Sequence, residues 1–584
     1  MRAWQPLPEY MAMPITHPIA DRDHAATVCG QQLAVDRPDP TFHFTRSRKN
    51  TFRKPLVMKP NSMRMRYFLA WVALSVCACD PEPYDLVLVG GTVIDGTGSD
   101  GYRADVAIRG DRIVVISPGD VEHDGAERVI DVTSKIVAPG FIDIHSHLDP
   151  LLRLPEGESK ARQGVTTVFG GPDGGSPWPM GAYLDSAAAI GIGINVAMLV
   201  GHNTIRRQVL GMEDRPPTST ELLEMREMVR QAMAEGAWGL STGLRYLPGA
   251  FSDVDEVVAL AEVAGAAGGV YTSHLREEGL ELIAAVSEAI DIGLRAELPI
   301  VLTHHKVVGQ PMWGSSERTL NMVDSANAAG RKIRIDQYPY TASYTGIGIL
   351  VPPWAMAGGD QAFFERLENP VLRDSILDGI VFNLINDRGG NDLSRVQFAL
   401  VSWMPELEGQ TLGDWAEMRG LPLTMETGAE LVIDAIRRGG ASAIYHVLNE
   451  ADVEAIMRHP MTAIASDGRL VQPGEGHPHP RWYGTFPRVL GEYVREKGVL
   501  TLENAVHKMT SLPADHMGMS ERGVLSEGMI ADIVVFDPET VADRSSFLDP
   551  HQYPSGIDFV IINGILAVDN GVFKDTRAGR VLRR

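Results

Sequence analysis

Two imidazoles one residue apart, His145 and His147, close an apolar run of the chain. In an extended strand residues i and i+2 face the same way, so both rings can reach one cation. Four more side chains of ligating type end comparable runs further on: Asp173, His274, His304 and Asp467. The three cysteines, Cys29, Cys77 and Cys79, all precede residue 80. The rest of the chain therefore has no disulfide and no thiolate, and would hold a metal through nitrogen and oxygen. Four histidines and two carboxylates form a ligand set for one or two Zn2+ ions. Each has a plainer alternative, since a lone His at a strand end is often just hydrogen-bonded and an Asp after a strand often caps or turns. The metal reading depends on whether all six reach one rim.

The elements that must carry them alternate. Apolar, β-rich runs at 141–148, 165–171, 195–202, 240–246, 270–275, 300–306, 332–340 and 462–467 are separated by helical stretches. Two of these helices open on capping patterns, Thr218-x-x-Glu221 and Asp253-x-x-Glu256. Eight such alternations predict an α/β fold, a TIM (β/α)8 barrel whose active site lies at the C-terminal strand ends. The barrel is expected over 138–515, with an insertion at about 352–450 over its mouth. Short strands divided by Gly and Asp turns fill 84–137, and the same texture returns in 516–584. The two chain ends are expected to pair into one small β-sandwich.

The 584 residues carry a formal net charge of -22, which argues against nucleic acid as a partner. Residues 1–62, rich in Pro, Arg and His, show no persistent period and read as a disordered or non-native extension, with translation expected to begin at Met63 or Met65. A basic start at Met63-Arg-Met-Arg66, a short apolar run and Val76-Cys-Ala-Cys79 form a lipoprotein signal over 63–79, with Cys79 as the lipidated residue. The run is too short to span a bilayer comfortably, so membrane contact is expected only through the lipid anchor. The implied location is the bacterial cell envelope, facing the periplasm, with Asp80 favouring the inner membrane.

Several motifs together carry a family resemblance. Pro139-Gly-Phe-Ile-Asp-Ile-His-Ser-His147 is similar to the metal signature of the amidohydrolase superfamily. Gln163-Gly-Val-Thr-Thr167, Gly201-His-Asn-Thr204, Ser241-Thr-Gly-Leu-Arg-Tyr246, Ser273-His-Leu-Arg276, His304-His-Lys306, Asp336-Gln-Tyr-Pro-Tyr340, Ala465-Ser-Asp-Gly468 and His479-Pro-Arg481 resemble the N-acyl-D-amino-acid deacylase (D-aminoacylase) branch. The resemblance spans roughly residues 84–570. It implies that His145, His147 and Asp467 bind one metal, His274 and His304 the other, and that Tyr246, Lys306 and Tyr338 hold the substrate or polarise its carbonyl. Two positions depart from the pattern. Asp173 stands where the family usually has a metal-binding cysteine, and Tyr344 where it often has a serine.

The activity so implied is zinc-dependent hydrolysis of the amide bond of N-acyl-D-amino acids, with a small N-acyl amino acid or dipeptide as partner. Asp467 would move the water proton to the leaving nitrogen. Tyr246 would steady the oxyanion, and Lys306, Tyr338, Arg276 and Arg481 are the groups expected to bind the substrate carboxylate. A dipeptidase acting on D- or isoaspartyl peptides is an alternative. So is cyclic-amide hydrolysis, although enzymes of that type usually bridge two metals with a carboxylated lysine on the fourth strand, and 240–246 contains no lysine.

Overall fold

The computed structural model describes residues 83–584; the expected extension, signal segment and Cys79 lie outside the described residues. The eight expected strands are present, as Phe141–Asp143, Val165–Gly170, Asn195–Met198, Gly239–Gly243, Val270–His274, Ile300–Leu302, Ile333–Gln337 and Thr462–Ile464. They run parallel, each beside the next, as in the registers Val168↔Val196, Leu240↔Tyr271 and Ile335↔Thr462. The third reaches the fourth through its continuation Val200–Gly201, where Val200 pairs with Leu240. The eighth returns beside the first: the Asp467 amide donates to the His145 carbonyl at 3.0 Å, and Gly468 pairs with Ser146. That contact closes a TIM barrel.

The strands are buried almost throughout because both of their faces are covered. Tyr271, Ile300 and Ile464 point outward to the helices, while their neighbours Val270, Val301 and Ala463 point inward. Phe169 and Trp238, set edge to face at 5.4 Å, fill the interior with Ala197, Leu199 and Ala465. Hydrocarbon thus fills much of the interior beneath the ligating side chains of the upper rim. Between strands the helices begin where the caps predict. Thr218 and Glu221 form a reciprocal capping box at the start of Ser219–Ala234, and the Asp253 side chain accepts from the Glu256 amide. Each cap is worth about 1 kcal/mol.

The chain ends combine into one nine-stranded sheet, in which Ile533–Phe536 from the C-terminal part pairs with Ile136–Pro139 from the N-terminal part. Strand Leu86–Val93 divides itself, its first half pairing with Arg128–Asp131 and its second with Ile136–Pro139. Val106, Ile108, Val137, Ile533 and Ile561 share the resulting core. Between the seventh and eighth barrel strands the chain builds a third body. Ser343–Gly346, Ser442–Tyr445 and Val396–Leu400 form an antiparallel sheet that begins ahead of residue 352. Helices Pro370–Asn386 and Met425–Arg437 pack on it through Ile376, Ile380, Leu384, Leu431 and Val432. Asn369 caps the first of these, and Pro370 occupies the position where a missing N–H costs least.

Candidate metal centre

At the C-terminal rim of the barrel, ligand atoms of His145, His147, Asp173 and Asp467 lie within 4.8 Å of one another, and so do those of Asp173, His274 and His304. Asp173 belongs to both groups. Its Oδ2 stands 3.4 Å from Nε2 of both His145 and His147, and its Oδ1 3.3 Å from Nε2 of His304. Asp467 Oδ1 completes the first group, 3.5 Å from His145 Nε2 and 3.1 Å from His147 Nε2. In the second, His274 Nδ1 and His304 Nε2 are 2.7 Å apart. All six expected ligands therefore reach one rim.

The protein leaves these groups chemically incomplete. Both ring nitrogens of His145, Nε2 of His274 and Oδ1 of Asp173 are buried without hydrogen-bond partners. Two of these orphans, His145 Nε2 and Asp173 Oδ1, face the ligand groups, whereas His145 Nδ1 faces Asp336 and His274 Nε2 faces Glu278. Buried polar atoms of native proteins are almost always paired, so orphans of ligating type turned into such groups fit divalent cations. Three of the ligands also hold a backbone conformation that non-glycine residues rarely adopt: φ is +53° at Asp173, +36° at His304 and +47° at Asp467. Such residues cost about 1–3 kcal/mol each and persist where the surroundings over-determine them. The residue after Asp173 must be glycine. A Cβ on Gly174 would stand 2.1 Å from Asn203 Oδ1 and 2.7 Å from the Gly243 amide.

Beneath the ligands lies a layer of supports. Asp143 accepts from the Lys160 ammonium (2.9 Å) and from the Ser466 amide (2.9 Å), and Lys160 also donates to Ser466 Oγ (2.6 Å) and the Gly468 carbonyl (3.2 Å). This fully buried network pins the first strand to the eighth on either side of His145 and Asp467. Asp336 accepts from the His304 amide at 2.6 Å and lies 3.7 Å from His145 Nδ1, a carboxylate behind a ligating imidazole. Asn203 donates to the carbonyls of Gly243 and Tyr246, which sets the Tyr246 loop, and the Tyr246 ring lies 4.4 Å from that of His274.

A cavity of about 410 Å³ opens above this floor, lined among others by Tyr246, Lys306, Tyr338, Tyr344, Arg388 and Arg481. Arg481 Nη1 is 2.9 Å from Asp467 Oδ2, an ion pair whose alignment is not that of a hydrogen bond, and its guanidinium covers the Tyr338 ring at 4.5 Å. Lys306 is already engaged, with Nζ 2.5 Å from Glu278 Oε1 and 2.6 Å from His304 Nδ1. Arg276 is not brought to the cavity. Its guanidinium is taken up by Glu288 at 2.8 Å and by the carbonyls of Ala250 and Ser252. His202 is buried against Glu256 at 2.7 Å, and His305 turns away to Thr319, so both are structural. His479 is also buried, bound to the Ala342 carbonyl and the Arg481 amide.

Sequence reasoning missed Glu278, Asp336 and Arg388. Glu278 had a faint signal, a carboxylate four residues after His274. Arg388 had none: it pairs with Glu278 at 2.7 Å from 110 residues away.

Electrostatics sort these groups. Burial pushes the Asp467 carboxyl up, but Arg481 and His145 outweigh it and leave it well below the usual carboxylate range. Burial likewise raises Asp173, and His145 and His304 more than reverse it. Burial raises the Tyr246 phenol, with Asp173 adding to the effect, and burial raises Tyr338, so both remain protonated donors.

The amidohydrolase family model matches residues 128–315 and 403–567. The chain is 37% identical over 532 residues to the D-aminoacylase of Alcaligenes xylosoxydans xylosoxydans, covering 86% of this chain and 99% of that one. It is 38% identical over 529 residues to the N-acyl-D-glutamate deacylase of the same organism, covering 86% and 97%. The crystal structure of N-acyl-D-glutamate deacylase from Bordetella bronchiseptica, complexed with zinc and a phosphonate mimic of the tetrahedral intermediate, superposes with a TM-score of 0.73 at 35% identity, over 86% of this chain and all of that one. With a closed barrel, a sheet from both chain ends and two ligand groups sharing Asp173, the chain belongs to the amidohydrolase family, on the branch of the N-acyl-D-amino-acid deacylases.

Proposed function

We propose that this protein is a zinc-dependent hydrolase that cleaves the amide bond of N-acyl-D-amino acids, releasing a carboxylate and a D-amino acid. The observation that carries the reading is the pair of unsatisfied ligand groups joined by Asp173 at the floor of the cavity, beside an ionised Asp467. His145, His147, Asp173 and Asp467 would hold one zinc, and Asp173, His274 and His304 a second. Zinc bound there supplies a Lewis acid for the carbonyl and makes water a nucleophile at neutral pH.

The chain's own residues do the rest. Asp467 accepts a proton from the water whose oxygen bonds to the carbonyl carbon, and returns it to the nitrogen as the C–N bond breaks. Arg481 keeps that carboxylate ionised and oriented through Oδ2. Tyr246, a protonated phenol at the rim, donates to the oxygen on which negative charge develops. Lys306, Tyr338 and Arg481 face the same space and receive the substrate carboxylate, whereas Arg276 takes no part. Lys306 has a further task, since its contact with His304 Nδ1 fixes which ring nitrogen faces the metal group.

A release assay over N-acyl-D-amino acids, N-acyl-L-amino acids and dipeptides, with metal analysis of the same sample, tests this reading. Turnover of the D series by zinc-containing protein is expected, and exclusive turnover of dipeptides would overturn it. On sequence grounds we also propose that Cys79 is lipidated and tethers the enzyme to the periplasmic face of the cell envelope. Mass spectrometry of the mature N-terminus should show an acylated Cys79, and a chain retaining Met63 would refute the anchor.

A further inference from the structure

Of the five cationic side chains lining the cavity, three are matched by carboxylates: Lys306 and Arg388 by Glu278, and Arg481 by Asp467. Arg207 donates to the Leu247 carbonyl from an exposed position. Arg469 is different. Among the described residues it has no hydrogen-bond or ion-pair partner, and its Nε is buried without one. It lies two residues beyond Asp467, in register with His147 of the first strand, so the backbone that presents the general base also presents this guanidinium. Its surroundings are aromatic, for Tyr344 and Trp482, set edge to face at 5.1 Å, line the same wall.

The guanidinium is half-buried beside aromatic rings and no carboxylate is close enough to pair with it, since Glu475 on the neighbouring wall is taken by Arg153, so an anion arriving with the ligand would complete it. The planar fork suits a carboxylate held by two hydrogen bonds. In the deacylase reading the α-carboxylate is received by Tyr338 together with Lys306 and Arg481, whose charges are already shared with Glu278 and Asp467. We therefore propose, building on the deacylase reading, that Arg469 recognises a second carboxylate and makes this enzyme selective for dicarboxylic N-acyl amino acids. That second carboxylate sits either on the amino-acid side chain or on the acyl group.

The test compares zinc-loaded wild-type enzyme with Arg469→Met on N-acetyl-D-glutamate, N-acetyl-D-aspartate, N-succinyl-D-leucine and N-acetyl-D-leucine. Wild type should favour the dicarboxylic substrates by kcat/KM. In Arg469→Met the ratio of kcat/KM for the preferred dicarboxylic substrate to that for N-acetyl-D-leucine should fall by about 10- to 150-fold, the range of a hydrogen bond to a charged group. A preference for the D-glutamate or D-aspartate compounds places the second carboxylate on the side chain; a preference for the succinyl compound places it on the acyl group. An unchanged ratio, or a wild-type preference for N-acetyl-D-leucine, overturns the proposal. Calorimetric titration with D-glutamate, succinate and D-leucine gives a readout free of turnover. If no compound is hydrolysed the deacylase reading fails, while tighter dicarboxylate binding that Arg469→Met abolishes would still support the subsite, and equal binding by both proteins would sink it.

Discussion

Every side chain of the two ligand groups comes from the barrel rim, whereas Tyr344, Ser442 and Arg388 reach the same cavity from the segment between the seventh and eighth strands. The two regions pack around separate apolar cores. The rim positions ligands through strand register: Gly468 beside Ser146 fixes Asp467 against His145, and no change in the inserted segment need disturb that pairing. The segment shapes the far wall through its own sheet, where Tyr344 pairs with Ile444. The difference teaches that the ligand groups and the far wall of the cavity are held by separate cores, while Lys306, Tyr338, Arg469 and Arg481 line the cavity from the barrel side. The exception is Arg388, whose ion pair with Glu278 ties the inserted segment to the support behind His304.

The sharpest way to break this division is to substitute one residue in each region. Asp467→Asn should lower kcat by about 10²- to 10⁴-fold, the usual loss on removing a general base. Tyr344→Phe should move KM more than kcat, as expected of a group that contacts the substrate without reacting. Steady-state kinetics with metal analysis checks both. Equal kcat losses in the two variants would show that the wall takes part in the chemistry.

How far the sequence disclosed these two regions follows the same line. Barrel strands announce themselves because burial on both faces demands continuous apolar runs, and a His or Asp ending such a run stands out. Thr218 and Asp253 mark helix starts because their side chains replace missing hydrogen bonds. Strand logic fails where the strand has already ended. The sixth stops at Leu302, so His304 is aimed by its own left-handed backbone, and nothing in its residue type announces that. Arg276, two residues past His274, reads in sequence as a cationic candidate for the substrate carboxylate. The chain turns there, and Glu288 with two carbonyls captures the guanidinium. The support at Glu278 was hidden for another reason: it depends on Arg388, and no local pattern encodes a contact across 110 residues.

That contact offers the next test. Glu278 is 3% exposed, and it faces both Lys306 and Arg388. Glu278→Gln leaves buried Lys306 without a carboxylate and Arg388 with only its neighbour Asp387, and should cost about 3–5 kcal/mol of stability in urea unfolding. Adding Arg388→Leu removes one of the two cations that faced Glu278. The double variant should therefore recover part of the loss, with a coupling of about 0.5–3 kcal/mol. A single variant as stable as wild type, or a double variant no better than the single, would show that the inserted segment is not tied to the rim through this carboxylate.

A smaller effect is expected where the chain leaves the seventh strand for the inserted segment. Tyr340 donates to Asp543 at 2.7 Å, and Arg488 stands 4.0 Å away. Like Asp467, Asp543 is buried, but no cation sits close enough to offset the lost hydration. Burial, only partly countered by the Tyr340 hydrogen bond, pushes its carboxyl up to about 6 from the ordinary 3.8. Between those two values the folded state binds more protons than the unfolded chain, so stability falls as pH rises from about 4 to 6 and stays lower above. Asp543→Asn keeps an acceptor for Tyr340 and cannot ionise. Its stability relative to wild type should improve by about 2–3 kcal/mol between pH 4 and pH 7.5, read as the difference between urea midpoints at the two pH values. A pH-independent difference would mean that Asp543 titrates as a solvated carboxylate. The contrast between cation-matched carboxylates at the rim and an unmatched one at the root of the inserted segment would then be lost.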